Sequence, residues 1–350
     1  MNAGIPVYLA LETSCDDTCA AVLDSGGKVL SSVVSSQLVH GEYEGVVPEL
    51  ASREHLRLGP TAIRLALEKA GRGFADLRGV AVTQGPGLIG CLLVGLNLAK
   101  GISMARGIPI VGVNHIEGHL HAILAERPFA PPMVGLVASG GHTEILHVRD
   151  WGSYELLGST RDDAAGEAFD KVAKLLGLSY PGGPIVDRTA REGRDVYGFP
   201  RAWMDLASGN LELSFSGLKT AVKVFVERET ERHGRDILTD PRFLADVCAS
   251  FQAALVDVLI AKLEVALRRT RAPRLLLAGG VACNSSLRSK AAALGQRLGV
   301  EAAFPSPRLC ADNAVMIGLA AVPRLLAGED DGMTLAACAN LDDFPAFAAA

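Results

Sequence analysis

The segment His115-Ile116-Glu117-Gly118-His119 places two imidazoles four residues apart. On a helix that spacing separates them by about 40° around the axis, so both project from one face. Two neutral imidazoles so placed can bind one divalent cation. A metallopeptidase helix of the HExxH type shares the histidine spacing but carries its glutamate directly after the first histidine. Here Glu117 stands one position further on, about 200° from His115, and points away from any metal held there. It cannot serve as base for a metal-bound water. Two histidines without a metal remain the alternative reading of the pair alone.

A third ligand must come from elsewhere, and Asp312 in Cys310-Ala311-Asp312-Asn313-Ala314 is the candidate. It stands at the start of an expected helix, where an acid can instead act as an N-cap. Two histidines and one carboxylate leave coordination positions open for substrate. Because His119 and Asp312 lie far apart along the chain, the metal is expected to bridge its two halves, in an interdomain cleft.

Glycine turns form the next group. Val137-Ala138-Ser139-Gly140-Gly141 and Leu277-Ala278-Gly279-Gly280-Val281-Ala282-Cys283-Asn284 each leave an expected strand, and Tyr180-Pro181-Gly182-Gly183-Pro184 lies between them. Such turns let backbone N–H groups approach a phosphate or nucleotide, although each is also an ordinary strand exit. None fits GxxxxGK[ST], which leaves a Walker-type ATPase without support. Gly85-Pro86-Gly87-Leu88-Ile89-Gly90 fits GxGxxG after a strand, but the acid expected about 20 residues later is absent, and helix–strand packing explains it equally well. The acidic turn Glu12-Thr13-Ser14-Cys15-Asp16-Asp17 offers carboxylates for proton transfer, or is simply solvated. Cys15 has no evident activating partner.

The elements that must position these residues repeat. Apolar runs at Pro6–Leu11, Thr18–Leu23 and Val29–Val34 form a meander, followed by a helix over about 48–69 broken at Pro60. A strand at Gly79–Thr83, a helix from Leu88, and a strand at Ile108–Val113 then lead to the histidines. Past Pro131-Pro132 the scheme restarts with strands at Val134–Ala138, Thr143–Val148 and Tyr154–Leu157. Helices over about 164–176 and 242–269 flank a Gly/Pro/Ser-rich stretch, 180–217, expected to be loops. Strand Leu275–Ala278, a helix from Asn284, strand Ala302–Phe304 and helix Ala311–Leu326 close the pattern. An α/β protein with an internal duplication results: a first lobe over 1–130, a second over 131–330 with a helical insertion at about 160–245, and a tail over 331–350.

Composition narrows the function classes. With 350 residues, 49% hydrophobic and 21% charged, the chain builds sizeable cores and is not disordered as a whole. The net charge of −5 and 5% aromatics argue against a dedicated nucleic-acid binder, so any RNA contact needs a local patch. Arginine outnumbers lysine 25 to 9, with basic stretches at Arg188–Arg201 and Arg268–Arg274. The 7 cysteines lack CxxC spacing and read as reduced thiols. No leader and no uninterrupted apolar span is evident, so a cytoplasmic protein without membrane contact is expected.

Together, ETSCDDT at 12–18, HIEGHL at 115–120, SGGHT at 139–143, DDAAGEAFDKVAKLLGL at 162–178, YPGGP at 180–184, LSFSGLKT at 213–220, AGGVACNSSLR at 278–288 and CADNAVMIG at 310–318 resemble the tRNA N6-adenosine threonylcarbamoyltransferases of TsaD type, once called glycoproteases. The resemblance runs from about residue 7 to 328. It implies a duplicated actin/hexokinase-like (ribonuclease H-like) two-lobed fold with a metal between the lobes. The implied reaction moves threonylcarbamoyl from threonylcarbamoyl-AMP to N6 of adenosine 37 in tRNAs reading codons that begin with A. The family's metal ligands fall on His115, His119 and Asp312. Its adenylate-binding positions fall on Val137, Ala138, Ser139, Gly140, Gly141, Asp170, Gly183, Asp187 and Asn284, with Asp170 and Asp187 toward ribose hydroxyls. Its acidic turn falls on Glu12 and Asp16, and Asp16 is the candidate to accept or orient the N6 proton. One Fe(2+) per subunit is implied, and the ligand set also suits Zn(2+). Partners implied are tRNA, a smaller homologous pseudo-partner and an ATPase. A metal-dependent peptidase, an actin-like-fold ATPase or kinase, and a non-enzymatic scaffold are the competing classes.

Overall fold

The computed structural model describes residues 5–37 and 45–340. Within these, residues 5–37, 45–129 and 311–340 form one compact unit, and 130–310 form a second.

The first unit opens with strands β1 (Val7–Glu12), β2 (Asp17–Asp24) and β3 (Val29–Ser36). Every residue of β1 is buried, as a central strand covered on both faces requires. β3 sits at the sheet edge, where its valines and serines can divide between an inner and an outer face. Helix α1 (Pro48–Lys69), strand β4 (Leu77–Gly85), helix α2 (Ile89–Arg106), strand β5 (Ile110–Asn114) and the short helix α3 (His115–His121) follow. The break expected at Pro60 does not occur. Pro60 and Leu56, whose carbonyl loses its donor, are both exposed, so the freed carbonyl faces solvent rather than the core. The sheet order is β3-β2-β1-β4-β5, antiparallel through the meander and parallel from β1 to β4 to β5.

The second unit contains β6 (Met133–Ala138), β7 (Thr143–Asp150) and β8 (Ser153–Ser159). Four helices follow: α4 (Ala165–Leu175), α5 (Gly182–Ala190), α6 (Ser216–His233) and α7 (Pro241–Thr270). Strand β9 (Arg274–Ala278), helix α8 (Ser285–Leu298), strand β10 (Glu301–Ala303) and the one-turn helix α9 (Pro307–Cys310) complete it. Its sheet runs β8-β7-β6-β9-β10, antiparallel in the meander and parallel from β6 to β9 to β10. That is the first sheet's order and direction repeated, so the duplication is visible in strand topology. The stretch expected as loops over 180–217 is irregular from 191 to 215 apart from a short 3-10 turn, but α5 lies at its start and α6 begins at its end. Phe169 on α4 meets Phe251 on α7 edge to face, with ring centroids 5.2 Å apart, in the core between these helices and the sheet.

The last helix, α10 (Ala314–Leu326), departs from the expected boundaries. Its apolar residues pack on β1, β2, β4, β5 and α3, which assigns it to the first unit rather than to a lobe ending at 330. The segment after it is no loose end through residue 340. The edge strand β5 would leave backbone groups unpaired. Asp330 Oδ1 accepts the Ile110 N–H at 3.1 Å, Asp331 Oδ2 accepts the Gly112 N–H at 2.8 Å, and the Asp331 N–H donates to the Ile110 carbonyl at 2.9 Å. Leu335 then enters the core of the first unit. The rest of the expected tail, 341–350, lies outside the described residues.

Two helices, α2 and α7, are long and apolar enough to cross a bilayer by length and composition, contrary to the expectation from sequence. In α7 72% of the apolar window is buried inside the protein, which makes it the core helix of its unit. α2 is less buried, at 33%, and packs against α1 and β4.

Candidate metal centre and nucleotide-binding turns

β5 ends at Asn114, whose Oδ1 accepts the N–H groups of Ile116 and Glu117 at 2.8 and 3.2 Å. This N-cap starts α3 at His115 and so fixes where the two histidines point. Both are buried, with ring centroids 4.6 Å apart and planes at 81°. Glu117, between them, is only half-buried. The third member arrives on the loop before α10. Asn313, not Asp312, caps that helix, its Oδ1 accepting the Met316 N–H at 3.0 Å, which leaves the Asp312 carboxylate for other work. Asp312 Oδ1 lies 3.3 Å from His119 Nε2 and 3.6 Å from His115 Nε2. One ligand atom from each of the three residues falls within 4.8 Å of the others.

All three candidate ligands belong to the first unit, because residues 311–340 return to it. The expectation that the cation bridges the two halves is corrected on this point: distance along the sequence is closed by α10, not by a second lobe.

The donor set fits a metal. His119 is fully buried, and neither ring nitrogen makes a hydrogen bond with a described residue although a carboxylate oxygen is 3.3 Å away. A buried polar group left unpaired is costly, and convergence on a shared cation accounts for it. Burial also holds the His119 imidazole below its usual pKa, in the neutral form a metal requires. Opposite the cluster, His115 Nδ1 faces Glu12 Oε2 at 3.0 Å and Ser14 Oγ at 3.2 Å. Burial alone would push the Glu12 carboxyl up, but His115 and the Thr83 hydroxyl, 2.5 Å away, bring it below its usual value. An ionised Glu12 accepts from Nδ1–H and leaves the lone pair on Nε2, the nitrogen that faces Asp312. Neither Glu12's task nor Thr83's is readable from local sequence, since Glu12's partners Thr83 and His115 are both remote from it in the chain.

Asp16 lies in the turn between β1 and β2, half-buried, and its carbonyl accepts the Gln37 N–H at 3.2 Å. It is not part of the three-residue cluster. Burial and then Asp16 drive the neighbouring Cys15 thiol far above its ordinary pKa, which removes it as a nucleophile. His55 secures this turn, with Nε2 2.9 Å from the Cys15 carbonyl and Nδ1 2.7 Å from the Thr18 hydroxyl. The Gly85–Gly90 turn is occupied by the protein itself. Gly85 has φ +148°, and a Cβ there would overlap the Cys338 carbonyl; one at Gly87 would meet the Ser14 carbonyl at 2.7 Å. Backbone packing explains both glycines without a dinucleotide.

In the second unit Val137–Gly141 lie at and beyond the C-terminal end of β6, which pairs with β9, at the edge where open α/β sheets bind ligands; Asp170 lies on α4 and Gly183 and Asp187 on α5. Val137 and Ala138 are the buried end of β6. The turn beyond closes with the Ser139 N–H on the His142 carbonyl at 2.8 Å. A Cβ at Gly279 would run into the Ala138 carbonyl, so this glycine is what lets the two turns touch. At Gly140, Gly141 and Gly183, by contrast, an added Cβ meets nothing within 4 Å. Neither packing nor left-handed backbone requires glycine there. Asp170 Oδ1 accepts the Gly182 N–H at 2.7 Å and so orients Gly183. Asp187 is buried; its Oδ1 accepts the Ser285 N–H and hydroxyl at 3.1 and 2.7 Å, and its Oδ2 pairs with Arg191 at 2.9 Å. Asn284 caps α8 by accepting the Leu287 N–H at 2.9 Å and donates from Nδ2 to Gln252 Oε1 at 2.6 Å, while its own N–H and carbonyl bond to the Val281 carbonyl and the Arg288 N–H, each at 3.0 Å. In the basic stretches, Arg201 pairs with Asp195 and Asp257, Arg268 with Glu264 and Arg274 with Glu301.

Two α/β units of one strand order define a protein of the duplicated actin/hexokinase-like class. Solved structures share the fold: component A of (R)-2-hydroxyglutaryl-CoA dehydratase from Acidaminococcus fermentans, TM-score 0.52 at 16% identity, over 92% of this chain and 99% of that one. HypF from T. kodakarensis gives a TM-score of 0.60 at 13% identity, over 92% of this chain and 48% of that one. At such identities only the fold is shared. The sequence goes further. Residues 28–319 match the TsaD family, tRNA N6-adenosine threonylcarbamoyltransferase. Proteins of that description from Pelobacter propionicus and Trichlorobacter lovleyi are 53% and 50% identical, over 89% and 95% of this chain and 90% and 96% of theirs. The chain belongs to the tRNA N6-adenosine threonylcarbamoyltransferase family.

Proposed function

We propose that this chain transfers threonylcarbamoyl from threonylcarbamoyl-AMP to N6 of adenosine 37 in tRNAs reading codons that begin with A. The observation that carries the reading is His119, buried, neutral and without a hydrogen bond to any described residue, beside His115 and Asp312. These three residues would hold a divalent metal, iron by family and zinc by ligand chemistry. Bound there, the metal supplies Lewis-acid polarisation of the donor's carbonyl.

The chain's own groups do the rest. Glu12 keeps the proton of His115 on Nδ1. Backbone N–H groups of Gly140 and Gly141 take the phosphate of the adenylate, since no described residue fills the space a Cβ would take at either. Asp170 and Asp187 accept from ribose hydroxyls, while the backbones of Gly183 and Asn284 border the adenine. Adenine N6 is a weak nucleophile because its lone pair is delocalised into the ring, so positioning dominates. Asp16 orients N6 and accepts its proton. Glu117, half-buried and between the histidines rather than beside their ring nitrogens, gives a peptidase no base. tRNA is held by local arginines, the protein works in the cytoplasm, and a smaller homologue and an ATPase act with it.

The test is reconstitution: unmodified tRNA, threonine, bicarbonate, ATP and the adenylate-forming enzyme, with and without the partners, followed by nucleoside mass spectrometry. N6-threonylcarbamoyladenosine that requires this chain is the expected product. Its absence with every component present overturns the reading.

A further inference from the structure

A second cluster of reactive side chains lies outside the metal centre and is used by nothing above. The turn after β9 ends in Cys283, and the one-turn helix α9, which packs against that turn, ends in Cys310. The two sulfurs are within hydrogen-bonding reach of each other, and both thiols are free. Arg288 stands over them, with Nη2 3.3 Å from Cys310 Sγ and 2.6 Å from the Pro305 carbonyl, and Nε on the Ala282 carbonyl. Cys310 Sγ is also 3.4 Å from the Pro305 carbonyl, and Cys283 Sγ 3.8 Å from the Pro307 carbonyl. Exposure divides their roles: Cys283 is half-buried and can be met from solvent, whereas Cys310 is fully enclosed.

We propose that Cys283 and Cys310 form a reversible dithiol–disulfide site, oxidised by low-molecular-weight disulfides. The Cys283 thiolate attacks one sulfur of such a disulfide, breaking its S–S bond and releasing one small thiol, which takes the proton Cys283 has lost. Cys310 then gives its proton to the second departing thiolate as its sulfur attacks Cys283. Two protein thiols and one small disulfide become one protein disulfide and two small thiols, so electrons and protons balance. Arg288 supplies the cationic neighbour that favours a sulfur anion in this pocket. The new bond would tie the residue preceding Asn284 to the last residue of the second unit.

The experiment uses the full chain, treated at neutral pH with excess glutathione disulfide, quenched with N-ethylmaleimide and mapped by peptide mass spectrometry. A Cys283–Cys310 linked peptide that disappears on adding reduced glutathione is expected. Cys310→Ser should instead accumulate a stable glutathione adduct at Cys283, and Cys283→Ser should leave Cys310 unmodified by glutathione. The proposal fails if, in the wild-type chain, Cys283 ends as a lasting glutathione adduct or both residues carry maleimide.

Discussion

The turn between the first two strands of each sheet sits at the same topological place, yet the two turns are built in opposite ways. After β1 the chain packs side chains inward: Glu12, Thr13 and Ser14 are buried, and Glu12 grips both His115 and Thr83. After β6 it presents backbone, and a Cβ added at Gly140 or Gly141 would meet no described residue within 4 Å. On the proposed function, one position in a duplicated fold is turned toward orienting a cation's ligand and the other toward an anion's approach. A repeated topology supplies a place for chemistry, and the residues at that place decide which chemistry.

Substitutions can break this division of labour, and their effects should descend in order. Asp312→Ala takes away a proposed ligand and should lower threonylcarbamoyladenosine formation by about 10³-fold, the several kcal/mol that a Lewis acid supplies, with bound metal lost in parallel by elemental analysis. Undiminished turnover in a metal-free Asp312→Ala would strip the first unit of its assigned part. Gly279→Ala, at φ +83° against the Ala138 carbonyl, should destabilise the second unit by about 2–3 kcal/mol, read as a lowered Tm. Glu12→Gln should weaken metal retention by about 10–100-fold in chelator competition, because the ring of His115 loses its orienting acceptor. Gly140→Ala should leave Tm unchanged yet cost about tenfold in AMP affinity by calorimetry, the size of one lost charge-assisted contact. An unchanged AMP affinity there would make the open turn a mere strand exit. Glu117→Gln should alter turnover by about twofold or less, as a partly exposed side chain away from the ligand atoms does.

Much of this was legible in the chain because it is local. The histidine spacing, the strand alternation and the glycine turns each declare themselves within a dozen residues. What stayed hidden depends on contacts far apart in sequence. Helix α6 reads as polar because its inward stripe is narrow: Leu218, Val222 and Val226 are buried and Ala221 and Phe225 partly so, amid charged residues. Pro60 looks like a break because nothing local reveals that it faces solvent. Asp312 looks like a helix cap until Asn313 is seen taking that duty. The segment 331–340 has no periodicity, since Asp330 and Asp331 bind the edge of β5 through single side chains rather than through a repeating face.

The return of α10 to the opening sheet has a consequence for biosynthesis. A ribosome that has finished the first 130 residues has made every strand of that sheet, but not the helix that covers it or the carboxylate that completes its cluster. At about 5–20 residues per second, the gap between His119 and Asp312 amounts to roughly 10–40 s of translation. Throughout that interval the nascent N-terminal region carries an uncovered apolar face, a natural docking place for chaperones, and a message truncated anywhere before codon 312 yields a polypeptide lacking one of its three candidate ligands.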